Sequence, residues 1–162
     1  LKREQILSLI AEIDDLLNAL NMVVEEIEEK KREFSDKEPD QFILRALGSL
    51  LHDFYTIIED IFELISSEMN GVRLDSFDWH KRLLNKMTLE IPGLRPAVIS
   101  RRLKEMLDEY LRFRHVFRNV YGYLLQWERM KPLLEKAGAV YERFEEEIER
   151  FKDFLRELAE KM

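Results

Sequence analysis

Apolar residues recur at intervals of three and four near the start of the chain. Ile6, Leu9, Ile10, Ile13, Leu16, Leu17, Leu20, Val23, Val24 and Ile27 share one helix face, with acids and amides between them. The spacing predicts a long helix from about Arg3 to Phe34. It runs out into the charge-dense stretch Glu28 to Lys37 and stops before Pro39, whose ring disfavours helical backbone in the residue ahead of it. A second helix, roughly Pro39 to Met69, carries Ile43, Leu47, Leu50, Phe54, Ile57, Ile61 and Leu64 on one stripe, widened by Leu44, Leu51, Ile58, Phe62 and Ile65. A stripe that broad implies burial on two sides, as at the centre of a bundle.

Asn70-Gly71 offers residues that tolerate positive φ and so stops the second helix, and Asp75-Ser76 offers N-cap side chains for a shorter third one near Phe77 to Met87. Ile91-Pro-Gly-Leu-Arg-Pro96 reads as an ordered loop leading into a fourth helix that begins between Pro96 and Ser100 and extends towards Tyr121. Tyr121-Gly122 ends it, and a fifth helix follows from about Trp127 to the C-terminus, with Gly138 as the point where it would break. Internal repeats and low-complexity tracts are absent. The expectation is one all-α domain over residues 1–162, an up-and-down bundle of four long helices plus a short one.

Composition agrees: 46% hydrophobic and 36% charged residues with only five Gly and four Pro suit amphipathic helices better than strands. The length lets one core close without crosslinks. Cysteine is missing, so disulfides, thiolate metal sites and cysteine nucleophiles drop out, and a reducing cytoplasm is the expected setting. No run approaches the ~20 apolar residues of a membrane span, and the charged residues from Leu1 to Gln5 do not lead into a signal-peptide core, which argues against membrane insertion and secretion. The net charge of −7 argues against a surface coated with phosphate-binding cations. The average hides a local reversal. Arg95, Arg101, Arg102, Lys104, Arg112, Arg114 and Arg118 face only Glu105, Asp108 and Glu109 between residues 95 and 118, so that stretch is +4 and the remainder −11.

The three histidines, His52, His80 and His115, lack the spacing of a helical zinc site, so neither a metal nor a cofactor is expected. Glycine-rich phosphate loops and serine-nucleophile elbows are absent too. The many Glu residues after Glu142 alternate with Arg and Lys at helical spacing and read as a solvated face. The informative segment is Tyr110-Leu-Arg-Phe-Arg-His-Val-Phe-Arg-Asn-Val-Tyr-Gly-Tyr123, in which aromatics interleave with three arginines and a histidine. Leu103, Met106, Tyr110, Phe113, Phe117, Val120 and Leu124 form its core seam. With Phe113 inward and ~100° per residue, Arg114, Arg118 and Tyr121 lie along one flank, and Asp108, Arg112, His115 and Asn119 point away from the core.

This segment resembles the HEPN superfamily and, within it, the HepT-like toxins, whose signature is Arg, four residues, His, one residue, Tyr. Here Arg114 and Tyr121 occupy the Arg and Tyr positions and Asn119 stands where the motif has His. The similarity extends to Leu51-His-Asp-Phe-Tyr-Thr-Ile-Ile-Glu-Asp-Ile-Phe62, Asp78-Trp-His80, Ile91-Pro-Gly-Leu-Arg-Pro96 and Trp127-Glu-Arg-Met-Lys-Pro132. The resemblance implies a HEPN-like bundle acting as a metal-independent endoribonuclease toxin, homodimeric, cleaving RNA in a cleft across the twofold axis and neutralised by a nucleotidyltransferase-type antitoxin. Within it Arg114, His115 and Asn119 would be the catalytic group, Arg112 and Arg118 would bind substrate, and Tyr121 would receive a nucleotidyl group.

The chemistry asks for a base to take the 2′-hydroxyl proton and a cation at the phosphate. Arg114 and Asn119 point about 140° apart on a straight helix, so two copies would have to supply them. An amide cannot exchange a proton near neutral pH, which attenuates the motif unless His115, on the same face, substitutes. The alternative is a catalytically inactive helical binding module for a nucleotidyltransferase partner or a nucleotide. Each residue also has an ordinary reading: Arg114 in an ion pair with a neighbouring helix, His115 as a surface histidine, Tyr121 as a packed tyrosine, His52 and His80 as structural histidines, Trp79 and Trp127 as core or interface anchors.

Overall fold

A computed structural model describes residues 1–70 and 78–162. Among them the chain is all helical: α1 Arg3–Glu33, α2 Gln41–Asn70, α3 Trp79–Lys86, α4 Arg101–Asn119 and α5 Trp127–Glu160, with a single 3-10 turn at Gly122–Leu124. The helices begin and end close to where the apolar spacing places them. The expected stop at Gly71 and the Asp75-Ser76 cap lie outside the described residues. No helix among the described residues is long and apolar enough to cross a membrane.

The four long helices pack in the ring order α1, α2, α4, α5, with α2 also touching α5 across the middle and α3 lying against α2 and α4. The breadth of the α2 stripe explains its central place. Leu44, Leu47, Leu51, Phe54, Tyr55, Ile58, Ile61, Phe62 and Ile65 are all buried, while Ile43, Leu50, Ile57 and Leu64 form the half-buried flank. Two ring pairs knit the centre: Phe54 meets Tyr110 of α4 at 4.9 Å and Phe62 meets Phe144 of α5 at 5.8 Å. Each fully buried aromatic contributes on the order of 2–3 kcal/mol.

Helix starts are fixed by side chains. Asp40 accepts from the Ile43 amide at 2.9 Å to open α2, and Ser100 accepts from the Leu103 amide at 3.1 Å to open α4. Glu147 of α5, buried at 6% exposure, accepts from both the amide and the hydroxyl of Ser100 and from Arg143. Glu147 therefore departs from the solvated face expected after Glu142, because it pins the start of α4 to the middle of α5. Lys152, also buried, pairs with Asp14 of α1 and with Glu149. The loop before α4 is ordered from within. Arg95 is buried and donates to the carbonyls of Leu89, Pro96 and Lys86, and Gly93 takes the positive φ of 78° that the turn requires.

Three expectations change. Helix α5 runs unbroken through Gly138, since the missing side chain serves a close approach: a Cβ there would lie 2.6 Å from Glu28 Oε1 of α1. Helix α4 ends at Asn119 rather than reaching Tyr121. Its core seam consequently stops at Phe117: Val120 and Leu124 are exposed at 37% and 52%, and Leu107 joins the buried set instead.

The end of α4 is docked through a second glycine. A Cβ on Gly48 of α2 would sit 2.8 Å from the Phe117 ring, which is backed by His52 at 5.5 Å and Phe113 at 5.9 Å. Gly48→Ala should cost about 1–3 kcal/mol through overpacking. Urea titration checks this, and a midpoint equal to or above the parent's would show that the ring moves aside freely.

Candidate functional site

One turn of α2 brings Tyr55, Thr56 and Glu59 towards α3 and α4. Glu59 lies on the buried side of the α2 stripe, in step with Tyr55 and Phe62, and is 3% exposed. A carboxylate there needs partners, and it has two: Arg114 of α4, with Nη1 at 3.2 Å from Oε1, and His80 of α3, with Nδ1 at 2.8 and 2.9 Å from the two oxygens. Arg114 also donates from Nε to the Thr56 hydroxyl at 3.2 Å. Burial holds the Glu59 carboxyl above its ordinary range, with Arg114 and then His80 pulling it back down.

An ionised Glu59 only accepts, so a neutral His80 facing it carries its proton on Nδ1 and leaves Nε2 as the acceptor. Nη1 of Arg114 sits 3.0 Å from Nδ1 because both donors converge on Oε1. Trp79 stacks on the imidazole at 3.8 Å. Tyr55 stands one turn before Glu59, its hydroxyl buried and without a hydrogen-bond partner among the described residues. Burial, and after it the Glu59 charge, hold that phenol well above its usual range.

The site residues expected from the sequence separate into two places. Arg114 faces inward and is 8% exposed, engaged in the cluster just described rather than lying along an open flank. The others sit on the surface at the same end of α4. Arg112 is exposed and pairs with Asp108 at 3.2 Å. Arg118 is exposed and, among the described residues, pairs with no carboxylate. His115 and Asn119 share the outer face. The Asn119 amide donates to the His115 carbonyl at 2.7 Å and comes within 3.4 Å of its Nδ1, so in this arrangement it closes the last turn of its own helix. Tyr121 lies beyond the helix end, 73% exposed, its ring parallel to Tyr123 at 5.6 Å. Gln41 Nε2 holds the backbone there by donating to the Gly122 carbonyl at 2.6 Å. Beside this end of α4, Phe113, Val116, Val120, Leu124 and Leu133 line an open apolar groove of about 700 Å³, rimmed by Arg112, Arg129 and Lys136.

Glu59, Thr56 and Tyr55 were not expected as site residues. One signal was available for Glu59: a charge on the apolar face of α2, where an acid persists only with a partner. His80, expected to be structural, is the second group held by the Glu59 carboxylate, beside Arg114.

A family profile described as HepT-like protein matches residues 46–155. The chain is a HepT-like protein of the HEPN superfamily. The matched span of this HepT-like protein runs from α2 to near the end of α5 and so contains Glu59, His80, Arg114 and the whole outer face of α4. No curated protein and no solved structure matches the chain.

Proposed function

We propose that this HepT-like protein is a metal-independent endoribonuclease and the toxin of a toxin–antitoxin pair, working as a homodimer and neutralised by a nucleotidyltransferase-type partner. The observation that carries the reading is the end of α4, where Arg118, His115, Asn119 and Tyr121 are exposed together one turn beyond a buried, ion-paired Arg114. Exposed Arg118, which pairs with no carboxylate among the described residues, and surface Arg112 suit a phosphodiester backbone. The adjacent apolar groove, with Val116 exposed at 42%, suits a second copy that brings the two outer faces together. Exposure of the Tyr121 hydroxyl suits nucleotidyl transfer by the partner.

A second reading, a catalytically inactive binding module, is favoured by one observation: the Asn119 amide is bound to its own helix and has no proton to exchange. One experiment separates the two. The purified chain is incubated with single-stranded RNA in the presence of a chelator and products are resolved with end-group analysis. The ribonuclease reading expects internal cleavage leaving cyclic phosphate ends, slowed in Arg118→Ala and suppressed when the nucleotidyltransferase partner is added. Salt-sensitive RNA or partner binding with intact RNA throughout would establish the binding module and remove the ribonuclease.

A further inference from the structure

The active-site motif lacks its imidazole at position 119, yet the structure builds an oriented imidazole elsewhere. His80 is held at Nδ1 by a buried carboxylate, its ring face is covered by Trp79, and its side chain is still 28% exposed. The buried partners, Glu59 and Arg114, both sit at the Nδ1 edge. The opposite edge of the ring carries Nε2, whose lone pair faces away from both. Among the described residues Nε2 has no hydrogen-bond partner. A carboxylate that orients an imidazole and stabilises its protonated form, leaving the far nitrogen open, is the arrangement a general base requires.

Resting on the ribonuclease reading above, we propose that His80 is the general base of this protein and that Glu59 is its positioning residue. Nε2 of His80 takes the 2′-hydroxyl proton. The 2′-oxygen attacks phosphorus, the bond from phosphorus to the 5′-oxygen breaks, and the departing oxygen takes a proton from water. The products are a 2′,3′-cyclic phosphate and a 5′-hydroxyl, and the proton on His80 returns to the hydroxide left by that water. Arg114, at the buried Nδ1 edge, holds Glu59 rather than the substrate, and the cation offered to the phosphate is exposed Arg118, one turn further along α4. Among the described residues, the charged and titratable groups at the ring's Nδ1 edge are Glu59, with Tyr55, Asp60 and Glu63 near it on α2, and Arg114 on α4. The Trp79 indole on α3 covers one ring face and adds no charge.

The test follows cleavage of a labelled single-stranded RNA oligonucleotide across a pH series, with thermal melting of every variant alongside. His80→Gln should slow cleavage about 10²–10⁴-fold and remove the limb of the pH profile that rises with deprotonation of the base. Free imidazole added to His80→Ala should restore part of the rate, which only a missing proton acceptor explains. His52→Gln, packed against Phe117 two turns before Glu59 on the same side of α2, should keep both rate and profile. Cleavage by His80→Gln at the parent rate with the parent profile overturns the assignment and leaves the ribonuclease intact. So does a folded His80→Ala that imidazole does not rescue, or a rising limb that disappears in His115→Ala instead. A parent chain that cleaves no RNA overturns both proposals together.

Discussion

Arg114→Ala should lose about 3–5 kcal/mol of stability, lowering the melting temperature by roughly 10 °C or more for a domain of this length. The loss is large because the partner left behind is Glu59, a carboxylate buried at 3% exposure between α2, α3 and α4. The double variant Arg114→Ala/Glu59→Gln should recover part of it, since a buried amide costs less than a buried carboxylate without its cation. The pH dependence follows from the same ion pair. The Glu59 carboxyl is held above its ordinary value of 4.5, by burial first, against the opposing pull of Arg114. A carboxyl whose folded value lies above its unfolded one contributes stability that is fully present below the unfolded value and is lost as pH rises through the folded one. Removing Arg114 moves the folded value further up, so the gap between parent and variant should widen from about pH 5 to about pH 7. A gap of equal size at both, or a double variant no more stable than the single, would show that Glu59 is not the source. The result also governs how tests of the proposed toxicity are read: any effect of Arg114→Ala would report unfolding as much as chemistry, whereas Arg118→Ala, on an exposed side chain, would isolate the proposed contact with RNA.

The helices, their order and the central place of α2 were legible from spacing alone, because burial on a helix imposes a repeat of threes and fours that survives any particular choice of apolar residue. The site was legible only in part. The outer face of α4 follows from counting 100° per residue, and Asp108, Arg112, His115 and Asn119 do point away from the core. Arg114 was placed on a flank by the same count. That count fixes direction but not depth. Arg114 is drawn inward by Glu59, a residue 55 positions away, and no one-dimensional pattern reports that pairing. Val120 and Leu124 show the converse error: their spacing continues the seam of α4, but the helix ends at Asn119 and the chain turns at Gly122 under Gln41 and Arg45, which carries them out to the surface. His80 was the least legible of all. Its place beside Glu59 and Arg114 comes from α3 lying against both α2 and α4, a tertiary event set partly by the loop that Arg95 holds from within.

Asn119→His should raise RNA cleavage by about 10²-fold or more. On the ribonuclease reading, position 119 of the parent supplies no proton for the leaving 5′-oxygen: the amide can donate a hydrogen bond but cannot release its proton near neutral pH, and in the structure it is turned onto the His115 carbonyl at 2.7 Å. An imidazole at this position is exposed at the end of α4, one residue from Arg118 and two from Tyr121, and titrates in the range where it exists in both forms. It would also lose the short bond to the His115 carbonyl, freeing the last turn of α4 and costing a few tenths of a kcal/mol to about 1 kcal/mol. Cleavage in the variant should therefore acquire a falling limb at higher pH, as the new donor loses its proton, on top of the rising limb that belongs to the base. Combining Asn119→His with His80→Gln distinguishes the two roles. If His80 is the base and position 119 supplies the acid, the double variant keeps the falling limb and remains slow. If the introduced imidazole acts as the base, the double variant cleaves as fast as Asn119→His alone. An Asn119→His protein that cleaves no faster than the parent, with its melting temperature unchanged, would mean that this end of α4 does not face the scissile phosphate.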